Sequence, residues 1–281
     1  MPGGCAIGTR PVDFILEGLK SLGARLSIEN GYVHAKALSG LKAAHYRFPK
    51  VTVGGTHVML MAATMAKGKT ILENAACEPE VANLIRTLNA MGAKILGEGT
   101  STLTIEGVKK LNGARIRVIA DRIEAGTYAM AVAMTGGDVF LKNANPNHLT
   151  QVLGVLQKTG LDIQIEPEGI HVKRNPRQTK IMPVDIKTGP YPAFPTDLQA
   201  QFMALMTRAQ GISHITETIF GKSFYACART YPFGSSDKAR WADGNGAWNR
   251  KSPRCPRYGN RFTRFCLLGY CCSGGKGRNN C

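Results

Sequence analysis

A cysteine set in a glycine loop close to an arginine can do nucleophilic or acid chemistry, and Pro2-Gly3-Gly4-Cys5-Ala6-Ile7-Gly8-Thr9-Arg10-Pro11-Val12-Asp13 provides that combination. Gly3 and Gly4 let the backbone approach a ligand closely. The guanidinium of Arg10 favours thiolate and attracts anions. The same spacing is also compatible with a frayed terminus that carries an incidental cysteine. Three polar tetrads form a second candidate set: Val53-Gly-Gly-Thr56, Glu124-Ala-Gly-Thr127 and Phe194-Pro-Thr-Asp197. Each stands at the head of a predicted helix. Helix N-termini grouped about a pseudo-symmetry axis expose free amides and positive dipole ends to one volume, which suits a phosphorylated ligand. Plain structural caps are the alternative reading.

The elements that must position these residues repeat along the chain. Met61 to Ala75 aligns with Met130 to Ala144 at a spacing of about 69 residues, and a further copy covers Gln201 to Thr218. Each copy reads as an apolar helix, a glycine turn and a strand. A second helix follows in the better copies, over Pro79 to Met91 and Pro146 to Thr159, each opened by a proline. Gly92 and Gly160 stop these helices, as Gly23 stops the helix predicted over Val12 to Leu22. The pattern predicts an α/β fold of small repeated subdomains whose helices return the chain to one sheet.

Composition at first suggests a different class. A net charge of +17 and eight cysteines in 281 residues would suit a nucleic-acid binder or a metal module. Their distribution argues otherwise. Residues 225–281 hold eleven of the 36 Lys/Arg against Asp237 and Asp243 alone, six of the eight cysteines, and both tryptophans, Trp241 and Trp248. Cys227, Cys255, Cys266, Cys271, Cys272 and Cys281 lack the paired spacing of a zinc module. Basic residues among aromatics, as at Arg257 to Arg264, give only generic attraction for phosphate backbones. A basic nucleic-acid- or metal-binding protein acting through this tail is the alternative function. The apolar stretch at Val12 to Leu19 is broken by Asp13 and Glu17, and no run approaches membrane-spanning length, so a soluble, cytoplasmic protein is expected.

The ordered motifs "PGGCAIGTRPVD", "KVTVGGT", "ENAACEPE", "LNAMGAKI", "TLTIEGV", "DRIEAGT" and "YPAFPTDLQAQF" resemble the UDP-N-acetylglucosamine enolpyruvyl transferases over residues 1 to 220. The resemblance implies an inside-out α/β barrel of two domains built from repeated βαβαββ-type subdomains, incomplete here. It places the remainder of the first domain at 1–119 and part of the second at 120–220. It further implies transfer of the enolpyruvyl group of phosphoenolpyruvate to the 3′-hydroxyl of UDP-N-acetylglucosamine with release of phosphate, an early step of peptidoglycan and cell-wall synthesis. No cofactor, metal, nucleic acid or membrane is implied.

Carried over residue by residue, Cys5 matches the loop cysteine that protonates the methylene carbon of phosphoenolpyruvate and is alkylated by fosfomycin. Arg10 matches a phosphate- and nucleotide-contacting arginine, and Pro11, Val12, Asp13 and Phe14 match the uridine site. Lys50, Val51, Thr52 and Val53 match the strip that holds the diphosphate. Asp197 matches the carboxylate that takes the proton from the attacking hydroxyl; a helix N-cap is its structural alternative. Glu78, Asp121 and Arg122 match cleft and hinge positions, with ordinary salt bridges as the alternative. Ile219 matches a nucleotide contact, although an isoleucine ending a strand is more often core. Cys77 stands where relatives have arginine and reads as structural.

The resemblance stops after Phe220. Joining the last two bases of each codon to the first base of the next makes codons for Gly221 to Thr230 compatible with the family's "ENRFMHV", then His or Pro, then "E". The same shift makes Arg254 to Arg264 compatible with "GAPVMATDLR", another family motif. Residues 221–281 are therefore read as an out-of-frame translation, expected to lack a fold of its own. The family also carries a segment before the cysteine loop, with a Lys-Asn pair and an arginine that bind phosphoenolpyruvate. A chain without these groups, and without the arginine matching Ser223, is expected not to turn over.

Overall fold

The computed structural model describes residues 12–177 and 180–219, with the short strands Ala242–Asp243 and Gly246–Ala247 beyond them. The expectation about residues 221–281 falls outside the described residues apart from those two strands. The chain divides into two compact units, 1–120 with 189–195 and 121–188 with 196–281.

The first unit opens with α1 (Asp13–Ser21), which ends where Gly23 takes a left-handed φ of 88°, and continues into the antiparallel hairpin β1 (Arg25–Glu29) and β2 (Tyr32–Lys36). There follow β3 (His45–Arg47), α2 (Val53–Thr64), β4 (Lys69–Glu73), α3 (Pro79–Ala90), β5 (Lys94–Leu96) and β6 (Thr102–Glu106). Their strands form one sheet of order β3-β4-β6-β5, in which β3 and β4 are parallel and flank the crossover helix α2. Alternating residues decide its buried face, so Leu72, Leu103 and Ile105 pack under Met59, Leu60, Ala63, Val81 and Ile85.

The second unit repeats this course. It runs α4 (Arg122–Thr135), β7 (Gly137–Lys142), a 3-10 turn (Pro146–His148), α5 (Thr150–Lys158), β8 (Asp162–Glu166) and β9 (Gly169–Arg174), with strand order β7-β9-β8. Ile170 and Val172 of β9 are fully buried with Ala129, Ala133 and Leu156. The third copy supplies β10 (Ile186–Lys187), α6 (Gln199–Met206) and β11 (Ile215–Thr216), with β10 and β11 parallel around α6 as β3 and β4 are around α2. The sheets are open, and the described residues form no closed barrel.

Three local expectations need correction. The helix predicted over Pro146 to Thr159 is broken at Leu149, because the Asn145 side chain accepts from Asn147 N–H at 3.0 Å and winds the first turn as 3-10. Glu124 to Thr127 does not open α4, which starts at Arg122 behind an Asp121 cap. Phe194 to Asp197 precedes α6 by a 3-10 turn, Thr196–Leu198. Among the described residues no helix is long and apolar enough to cross a membrane.

Candidate functional site

In the first unit the start of α2 is built by its own sequence. Thr52 is extended, and its Oγ1 accepts from Gly55 N–H at 3.2 Å, satisfying one of the orphan amides of the first turn. A Cβ on Gly55 would press into the Thr52 methyl, which explains a glycine there. Thr56 Oγ1 donates to Thr52 O at 2.8 Å and accepts from Ala76 N–H at 3.0 Å. The strip Lys50 to Val53 is thereby tied to the segment that leads to Glu78. Lys50 itself is exposed.

Val12 is the N-cap residue of α1, Asp13 is exposed in its first turn, and Phe14 is half-buried. Tyr46 Oη donates to Phe14 O at 2.9 Å, and the Tyr46 ring meets Phe48 edge-on with centroids 5.1 Å apart. Burial, then the charge of Glu17, raises the Tyr46 phenol above its ordinary range. Residues 12–14 are thus fastened to β3, the strand that runs into Lys50. Cys5, Arg10 and Pro11 lie outside the described residues.

Glu78 is almost fully buried at the N-cap of α3 and makes no salt bridge among the described residues. Its Oε1 accepts from Tyr191 N–H at 3.3 Å, while Oε2 has no hydrogen-bond partner among the described residues. The carboxylate therefore holds the 189–195 segment rather than an opposite charge. Burial, and then the charge of Glu78, pushes the Cys77 thiol upward, so Cys77 is not activated.

In the second unit Asp121 is a helix cap. Its Oδ1 accepts from Ile123 N–H at 2.7 Å and Glu124 N–H at 3.1 Å, the geometry of a cap rather than a salt bridge. Arg122 is buried beside it. Asp197 is exposed, and its carboxylate makes no hydrogen bond or ion pair among the described residues; the N-cap of α6 is Leu198, with no side-chain cap bond. The capping alternative for Asp197 is thus replaced by a free carboxylate, a group able to accept a proton.

What holds the Asp197 turn was missed in the sequence. Glu217, almost fully buried, accepts from Thr196 Oγ1 at 2.9 Å and from Ile219 N–H at 2.6 Å, so one carboxylate ties the turn to the Ile219 segment. Ile219 lies beyond β11 and is half-buried, not a core strand residue. Gly126 leaves room for Leu198, and Gln201 Nε2 donates to Thr127 Oγ1 at 3.1 Å. Within this unit the 124–127 tetrad thus packs against the turn instead of presenting amides to a ligand. The signal available was Glu217 itself, a carboxylate inside the apolar-flanked Ile215-Thr-Glu-Thr218.

Repeated helix–strand units surround open sheets, with a capped helix start behind Lys50 in the first unit and an exposed carboxylate, Asp197, on a braced turn in the second. The family model of EPSP synthase (3-phosphoshikimate 1-carboxyvinyltransferase) matches residues 1–230, and the chain belongs to this family of enolpyruvyl transferases. It is 86% identical over 224 residues to UDP-N-acetylglucosamine 1-carboxyvinyltransferase of Bartonella tribocorum and 64% identical over 224 residues to that of Brucella ovis. Those matches cover 80% of this chain and 52% of each relative, so the chain spans about half the length of the curated relatives it matches. Among solved structures, the enolpyruvyl transferase NikO from Streptomyces tendae shares the fold with a TM-score of 0.60 at 18% identity, over 74% of this chain and 52% of that one. An EPSP synthase from Acinetobacter baumannii gives 0.52 at 26% identity, over 75% and 50%. The fold is the inside-out α/β fold of these enzymes, present in part.

Proposed function

We propose that these residues belong to an enzyme that transfers the enolpyruvyl group of phosphoenolpyruvate to the 3′-hydroxyl of UDP-N-acetylglucosamine, with release of phosphate. The observation that carries this reading is the 86% identity over 224 residues to a UDP-N-acetylglucosamine 1-carboxyvinyltransferase. The roles follow from chemistry and position. Asp197, a free carboxylate, takes the proton of the attacking hydroxyl. Cys5 delivers a proton to the methylene carbon, and the Arg10 guanidinium steadies phosphate. Lys50 and the amide end of α2 meet the diphosphate, and residues 11–14 meet the uridine with Ile219. Glu78, Asp121 and Arg122 shape the backbone around these groups. The place of work is the cytoplasm, the step is an early one of cell-wall synthesis, and fosfomycin is the expected covalent inhibitor.

The test is phosphate release that requires UDP-N-acetylglucosamine. It is expected from a chain extended to the relatives' full length, to vanish in Cys5→Ser, and to be absent from residues 1–281 alone. Release that ignores Cys5→Ser would refute the role of the thiol. Fosfomycin is expected to label Cys5 and spare Cys77, whose thiol is held protonated.

Residues 221–281 are proposed to be the out-of-frame continuation of the family's own coding sequence, supported by two separated codon matches. Resequencing should find a surplus or missing base near the Phe220 codon; an intact reading frame there would remove the idea. No observation favours the tail as a nucleic-acid or metal module.

A further inference from the structure

We propose that the second unit holds a binding site for a small oxyanion of the phosphate type, built by Arg174 and Arg208 at the C-terminal end of α4. A small, partly open concavity lies there, lined in part by Thr135, Gly136, Arg174, Asn175, Pro176 and Arg208. Arg174 and Arg208 are among its lining residues, and among the described residues no Asp or Glu lines it.

The two arginines differ in how they are held. Arg174 is 5% exposed, and its guanidinium donates to the carbonyls of Ala133 and, at 3.1 Å, Lys180. Its charge is therefore fixed in place. Arg208 is exposed, and its side chain makes no hydrogen bond or ion pair among the described residues. Asn175 Oδ1 accepts from Arg177 N–H at 2.9 Å, which leaves its amide nitrogen as a further donor.

The charge balance favours an anion. The carbonyl end of a helix contributes roughly half a negative charge, against two arginines. No acidic residue occurs from Lys173 to Val184, and Asp185 is engaged by His214 N–H at 2.7 Å. Burial first, then the like charge of Arg208, lowers the proton affinity of Arg174, so the two cations feel each other. An oxyanion with three or more acceptor oxygens can offer a separate oxygen to each arginine and to the Asn175 amide.

This site uses none of the residues assigned to enolpyruvyl transfer. Its test is a calorimetric titration of the full chain with inorganic phosphate at constant ionic strength. Saturable binding is expected, about tenfold weaker in Arg208→Gln, a surface change, and unchanged in Lys50→Ala. Competition by glycerol 3-phosphate supports the site and identifies a phosphoryl group on a larger molecule as ligand; its failure to compete, with phosphate still bound, supports free phosphate. No saturable binding, equal binding in Arg208→Gln, or loss in Lys50→Ala in place of Arg208→Gln would each overturn the proposal.

Discussion

The two better copies of the repeated unit trace the same chain course but close the end of their first helix by different chemistry. Register makes the comparison residue by residue. Lys69 of β4 stands opposite Glu106 of β6, and the aligned Asp138 of β7 stands opposite Lys173 of β9, with the charges exchanged. The next position is Gly107 in one copy and Arg174 in the other. In the first copy Gly107 brings the backbone against Ala66, and Val108 N–H donates to Thr64 O at 2.9 Å. In the second, the aligned carbonyl of Ala133 is met by the Arg174 guanidinium. One copy meets its helix end with backbone, at a close approach that a glycine permits. The other uses a charged side chain and keeps a concavity beside it, so the repeat leaves freedom where function can be added.

That contrast can be broken most sharply at Gly107. In Gly107→Ala the new Cβ would overlap the Ala66 carbonyl, which is backbone and cannot step aside, so a loss of about 3 kcal/mol is expected in denaturant unfolding. Arg174→Met tests the other closure. It leaves Ala133 O without its buried donor and should cost about 2 kcal/mol, with the concavity's anion affinity lost alongside. A stable Gly107→Ala, or an indifferent Arg174→Met, would dissolve the distinction between the two closures.

The opening ends of the same helices differ less. Thr52 caps α2 and Asp121 caps α4, and Thr52→Ala and Asp121→Ala should each cost about 1 kcal/mol in thermal or denaturant unfolding. The smallest effect concerns pH. The hydrogen bond from His171, then that from Lys173, holds the Asp138 carboxylate below its usual range, and His45, with Arg47, does so for Glu73 in the first copy. A depressed carboxylate contributes stability above its unfolded pKa of about 4 that is lost as pH falls through the folded value. Asp138→Asn and Glu73→Gln should therefore be slightly less stable at neutral pH and show a flatter decline below about pH 4.

Much of this architecture was legible from spacing. The recurrence of Met61 to Ala75 at Met130 to Ala144 located α2 and β4 and their counterparts, and it extended to backbone detail: Asn74 and Asn143, aligned in the repeat, both adopt left-handed φ of 55° and 61°. Gly23, Gly92 and Gly160 ended helices as expected, each at positive φ. Side-chain competition was not legible. The Asn145 bond that winds Pro146–His148 into a 3-10 turn, and the choice of Asp121 over Glu124 as the start of α4, depend on which oxygen reaches which amide. The site was legible as a set of residue types and illegible in its supports. Glu217 bracing the Asp197 turn and Glu78 holding Tyr191 are long-range pairings that no local pattern encodes.

The Asp197 carboxylate and its family partners are proposed to act on one transfer reaction. Mass spectrometry of phosphoenolpyruvate and UDP-N-acetylglucosamine incubated with the chain extended to its relatives' length tests it most directly. The expected product is a sugar nucleotide heavier by one enolpyruvyl group, formed at least about a hundredfold more slowly in Asp197→Asn. Unmodified UDP-N-acetylglucosamine, or product formed equally well without that carboxylate, would contradict it.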